Sequence, residues 1–123
     1  MKEVIYKNEE INRIILDESL ILSIEWIYKD HPIIEMIIDW CGQEDLKDEI
    51  NFLKVQTKLK FEFAWDIDFN FKHIGSWNSG ALEITSFSFI KKEQIYEIEF
   101  RFDFSPVGYM KFSCTDFCFV IIE

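Results

Sequence analysis

Few side chains in this sequence have the type and spacing to do chemistry. They are two histidines, His31 and His73, three cysteines, Cys41, Cys114 and Cys118, and two close carboxylate pairs, Asp66/Asp68 and Glu97/Glu99. A histidine titrates near neutrality and suits general acid–base work. His31 stands in Lys29-Asp30-His31-Pro32, which reads as a turn, and His73 closes a long alternating run. Neither has a recognisable partner in the sequence, and a loop histidine in that position is catalytic in roughly one case in ten. Cys114 and Cys118, read on one straight strand, share a face but lie about 13 Å apart. That is too far for a disulfide, whose Cα atoms lie within roughly 7 Å, and too far for one zinc ion. With Cys41 placed on the second strand, the three read as small buried hydrophobes.

An i, i+2 carboxylate pair on a strand is separated by about 7 Å, within the range of glycosidase acids. No glycine-rich phosphate loop, nucleophile elbow or HExxH motif accompanies them. A solvated outer face of a sheet accounts for both pairs. The expectation is a protein without catalytic residues, metal ligands or cofactor.

The elements that would position these groups are strands. Thirteen Phe, four Trp and four Tyr dominate the apolar residues, and aromatic and β-branched side chains suit a pleated, half-buried surface. In Leu20 to Tyr28 the even positions Leu20, Leu22, Ile24, Trp26 and Tyr28 form an apolar row, and Ile34, Met36, Ile38 and Trp40 form a second beyond the turn, which predicts a hairpin. Helical spacing interrupts at Asn8 to Ile15, with Asn8 as candidate cap, and at Gln43 to Lys54, where Leu46, Ile50 and Leu53 recur. The longest alternation runs from Leu59 to Phe71. As one straight strand it would span roughly 40 Å, more than a domain of this size allows, so a bulge or bend is predicted near Ala64 to Asp66. The phase slip between Leu82/Ile84 and Phe87/Phe89 predicts another bulge. Tyr96 to Phe104 and Tyr109 to Ile122 read as a last hairpin about Ser105-Pro106-Val107-Gly108, a type I turn. The sum is one domain over residues 1–123, mainly β: a curved antiparallel sheet, sandwich or partly open barrel of six to seven strands, with one or two short helices.

Charge narrows the function. Thirteen basic against twenty-three acidic residues leave a net charge of −10. Phosphate backbones and anionic membrane surfaces are repelled by such a field, so neither nucleic acid nor membrane is an expected partner. A basic protein is attracted to it. The opening residues lack the apolar stretch of a secretory signal, no apolar run approaches the roughly 20 residues of a membrane helix, and an odd cysteine count makes no disulfide framework. Cytoplasm is the expected compartment.

If the two strands lie side by side, Glu62, Asp66, Asp68, Glu97, Glu99 and Asp103 make an acidic face, diluted only by Lys60, Lys72 and Arg101. Trp77, in the polar loop Gly75 to Gly80, is the aromatic best placed to anchor a partner there, whereas Trp26, Trp40 and Trp65 fall on apolar faces and read as core. An opening Leu16-Asp17-Glu18-Ser19-Leu20 leads into a hairpin, and a central strand Leu59-Lys60-Phe61-Glu62-Phe63-Ala64-Trp65-Asp66 and a closing Ser113-Cys114-Thr115-Asp116-Phe117 follow. In this order of features the chain resembles small acidic bacterial immunity-type proteins, whose opening is usually like His-Asp-Ser. The resemblance implies a non-catalytic protein that neutralises a bacterial toxin domain, such as a basic nuclease, by covering it; the alternatives are a small β-barrel enzyme using a carboxylate pair and a structural or self-associating β domain.

Overall fold

The computed structural model describes residues 3–72, 82–104 and 106–123. Among them are ten strands: β1 (Glu3–Lys7), β2 (Leu20–Tyr28), β3 (Pro32–Asp39), β4 (Gln56–Glu62), β5 (Trp65–Lys72), β6 (Leu82–Glu83), β7 (Ser86–Lys92), β8 (Ile95–Phe102), β9 (Val107–Cys114) and β10 (Asp116–Ile122). They form two open antiparallel sheets, one in the order β1-β10-β4-β3-β2-β6 and the other β5-β9-β8-β7. The mainly antiparallel β architecture anticipated from the sequence is therefore present, as two sheets and not a closed barrel.

One bent ribbon joins the sheets. The ladder between β10 and β4 ends at Asp116↔Glu62, and the ladder between β9 and β5 begins at Ser113↔Trp65. Between them Phe63 and Ala64 on one side and Thr115 on the other turn the corner, and the Thr115 N–H donates to the Glu62 carbonyl at 3.0 Å. The break in the long alternating run thus falls where chain length demanded it. The same corner divides the expected final strand into β9 and β10. Cys114 then lies buried on β9 opposite Tyr96, while Cys118 lies on β10 opposite Lys60 in the other sheet. The two cysteines do not share a strand face, and Cys41 is exposed just past β3 instead of buried.

Further differences have equally local causes. The phase slip at Leu82 to Phe89 is a change of sheet: β6 pairs with β2, and β7 pairs with β8. Both helical segments shrink to 3-10 turns, Asn8–Arg13 and Glu44–Leu46, because only Ile11 and Ile14 in the first, and Leu46 and Ile50 in and after the second, find core to enter; Leu53 is exposed. Asn8 is not the cap. Its side-chain carbonyl accepts the Phe117 N–H at 2.9 Å and so ties the first turn to β10. Gly108, expected in a turn, is a strand residue of β9, where an added Cβ would meet the Asn70 carbonyl oxygen at 1.8 Å. Only glycine lets β5 approach there.

Between the sheets lies a core of aromatic rings. Phe61 on β4 packs edge-on to Phe112 at 4.8 Å and against Phe117 at 5.9 Å and Phe100 at 6.2 Å, so one side chain touches both sheets. Trp40 caps one end of it, 6% exposed, with its indole N–H donating to the Ile15 carbonyl.

β2 breaks the pattern most sharply. A bulge between Ile21 and Ser23 changes its phase. Paired residues share a face, so Ile24 opposite Met36 and Trp26 opposite Ile34 lie on the core side. Met36 and Ile34 are buried, yet Trp26 is 63% and Tyr28 75% exposed. The bulge splits the row read from sequence, Leu20 going with Asp39 to the outer face, and Trp26, expected in the core, lies with Tyr28 at the uncovered margin of the six-stranded sheet.

Candidate functional site

The carboxylates singled out by spacing separate into three places. Asp68, Glu97 and Glu99 lie on the outer face of the four-stranded sheet, but β9 runs between β5 and β8, so the two acidic strands are not neighbours. Its Lys111 stands opposite both Asp68 and Glu99. Lys111 Nζ is 3.7 Å from Glu99, Arg101 Nε donates to Glu99 at 2.6 Å, and Lys92 is 3.1 Å from Glu97. The Tyr109 hydroxyl reaches Asp68 at 3.2 Å. Asp66 joins Glu97, Glu99 and Lys111 around a shallow depression of about 260 Å³. This face is a mixed charge lattice and not the nearly pure acidic one expected. Asp103 lies beyond the far end of β8, its N–H donating to Thr85. Trp77 and His73 lie outside the described residues.

Glu62 belongs to a different cluster, at the corner. His31 Nε2 contacts the Glu62 carboxylate, whose other oxygen lies 3.3 Å from Lys60 Nζ. The imidazole also stacks on Phe63, with centroids 4.1 Å apart and ring planes within 12°. The hydrogen bond from His31, reinforced by Lys60, holds the Glu62 carboxyl below its usual range despite partial burial. Phe63 itself sits at φ +53°, in the left-handed region that bulky residues avoid. The partner His31 lacked in the sequence is thus 31 residues away, brought across by β3 and β4. Only the expected bend near Ala64 pointed to this meeting.

Four of the chain's strained or exposed features collect around this corner. Tyr28 ends β2 beside Pro32, whose carbonyl accepts the Ala64 N–H. Trp65 and Asp66 follow, Asp66 at φ +54°. On the other side of the ribbon the Asn8 side-chain amide reaches Asp116 at 3.4 Å. From Tyr28 on β2 to Asp116 on β10 is a step of three neighbouring strand spacings, about 14 Å. The two faces differ, however: Trp26 and Tyr28 lie on the core side of the larger sheet, beyond the cover of the smaller one, whereas Glu62 and Asp116, paired with each other and with Ile33, point from its opposite face, and Phe63, 47% exposed, stands at the bend.

A cleft of about 690 Å³ opens at the same corner, between Trp65, the two-residue turn Glu93-Gln94, and Thr115-Asp116. Behind it the buried Tyr96 hydroxyl donates to Glu9 at 2.6 Å. Burial, and then the Glu9 carboxylate, push the phenol up to about 12, while the same hydrogen bond holds Glu9 below its usual range. Among the described residues no group of three or more His, Cys, Asp or Glu is arranged to hold a metal ion, and no helix is long and apolar enough to cross a membrane.

No family model, curated protein or solved structure matches the chain.

Proposed function

We propose that the protein is a binding module for a basic protein partner, in the manner of an immunity-type protein that covers a toxin domain in the cytoplasm. The observation that carries the reading is the aromatic margin of the larger sheet, where Trp26 and Tyr28 stand in solvent at the end of β2 and Phe63 is exposed at the neighbouring corner. Large aromatic side chains left in water at one margin of a sheet suit a protein interface. The net charge of −10 gives the sign of the partner, because it accelerates encounter with a cationic surface and slows encounter with an acidic one. The outer-face carboxylates Asp68, Glu97 and Glu99 act in this reading through their field, not as contacts that each carry much affinity.

The test is association with the purified product of the neighbouring reading frame, followed by surface plasmon resonance. Trp26→Ala with Tyr28→Ala is expected to weaken the complex by about 100-fold or more, mainly through faster dissociation. Glu97→Lys with Glu99→Lys is expected to slow association and flatten its salt dependence. Absence of a complex, or a complex indifferent to Trp26 and Tyr28, removes the reading.

A further inference from the structure

We infer that the corner cleft receives an arginine side chain, and, resting on the reading above, that this arginine belongs to the basic partner. At about 690 Å³ the cleft is large enough for a guanidinium with its alkyl stem, since ligand pockets run from roughly 300 to 1,000 Å³. What decides its ligand is the balance of groups left over after the protein's own bonds are made. Asn8 is occupied on both ends, by the Phe117 N–H and by Asp116 Oδ1. Lys91 is drawn to the back wall, 3.7 Å from Glu9 and 5.5 Å from the Tyr96 ring centroid. The Tyr96 hydroxyl is likewise engaged with Glu9.

Among the described residues, the groups with no protein hydrogen bond are then the second oxygen of Asp116, the Glu93 carboxylate and the Gln94 amide, beside the partly exposed Trp65. The set is rich in acceptors, carries two negative charges and includes an indole. A guanidinium matches it on each count: it is planar, has five donors and no acceptor, keeps its charge at all working pH values, and stacks on aromatic faces. An ammonium satisfies the charge but not the fork of donors or the stacking. A phosphate or carboxylate ligand would face Asp116 and Glu93 directly. A sugar would find only the Gln94 amide and the Trp65 indole as free donors and would leave both carboxylate charges uncompensated.

The site is also held in place. Asn8 at φ +51° pins Asp116, and Glu93 at φ +59° projects from the two-residue turn between β7 and β8. Trp65 leads on to the outer face, since its partner across the ladder, Ser113, also pairs with Glu97. A partner whose arginine enters the cleft would lay neighbouring cationic residues along Asp66, Glu97 and Glu99.

The test uses the whole protein, labelled with nitrogen-15, and N-acetyl-arginine methylamide as probe. Saturable shifts are expected at the Trp65 indole N–H and the Gln94 side-chain amide, with dissociation in the millimolar range. The citrulline analogue, neutral but nearly isosteric, is expected to bind about tenfold more weakly, and Asp116→Asn to weaken arginine by a similar factor, as loss of a charge-assisted hydrogen bond implies. Thermal melts of Asp116→Asn and of Trp65→Phe check that the fold is intact. No saturable response, or equal responses to arginine and citrulline, overturns the inference. A saturable arginine response without any basic protein partner would uphold the cleft and remove only the reading above; a tight partner complex that Asp116→Asn leaves unchanged would do the reverse.

Discussion

Replacing Phe63 tests the corner on which the site depends. At φ +53° its backbone is left-handed, which costs about 1–2 kcal/mol for a residue with a β-carbon. Its ring stacks on His31 at 4.1 Å, an interaction worth about 0.5–1.5 kcal/mol in an aromatic pair. Phe63→Ala and Phe63→Gly both remove the ring, so the comparison between them isolates the backbone. Alanine keeps the strain. Glycine releases it, but glycine's unfolded chain is favoured by about 0.4–1 kcal/mol of extra entropy. The difference leaves Phe63→Gly more stable than Phe63→Ala by about 0.5–1 kcal/mol. In an ordinary strand the order is the opposite, with alanine ahead by about 0.5–1 kcal/mol. Urea denaturation followed by fluorescence reads the difference as a midpoint shift of roughly 0.4 M for an m near 2 kcal/mol/M. Phe63→Gly itself is expected to lie close to the parent protein, strain relief offsetting the lost stack. If Phe63→Ala is as stable as Phe63→Gly, or more so, the corner is not strained and its conformation cannot be what aims Trp65 and Glu62.

Two other outcomes are expected. Glu62 is held below its usual carboxyl range by His31 and then Lys60, so its contribution to stability is complete above pH 4.5 and is lost as pH falls through its lower folded value; Glu62→Gln should therefore flatten the acid side of the stability profile, and identical profiles for the two proteins would refute the pairing. Of the three cysteines, exposed Cys41 should react quickly with a thiol reagent at pH 8, half-buried Cys118, raised by burial, more slowly, and Cys114, buried and pushed up to about 12, only on unfolding; a native Cys114 that reacts as fast as Cys41 would contradict that packing.

How far the sequence reaches can be seen residue by residue. The bend at Phe63–Ala64 was legible because a thirteen-residue alternation cannot run straight through a domain this small. The β8–β9 hairpin was legible from its alternation, but its turn was not, since Val107 and Gly108 belong to β9. The exposure of Trp26 and Tyr28 was not: alternation reports that a row is apolar, whereas burial depends on whether the opposite sheet extends far enough to cover it. The bulge at Leu22 is likewise a pairing event with no signature in the alternation itself. The interposed β9 follows from strand order, which local pattern does not encode, and it turned an expected acidic face into alternating charges. His31 and Glu62 illustrate the general limit. Each is unremarkable alone, and only two ladders through β3 bring them together.

The position of β10 bears on how the chain comes to be folded at all. β1 and β4 have no direct pairing; both are hydrogen-bonded to β10, with Val4 opposite Ile121 and Leu59 opposite Phe119. During synthesis, therefore, the first strand waits unpaired until β10 has emerged, and the strand that joins β1 to the rest of the larger sheet is laid last. Contacts of such long sequence separation slow folding, and apolar strands waiting without partners are open to off-pathway pairing. The exposed row on β2 would be available throughout that interval. A partner that engages it early would act on the nascent chain as a holder of its margin before it acts on anything else.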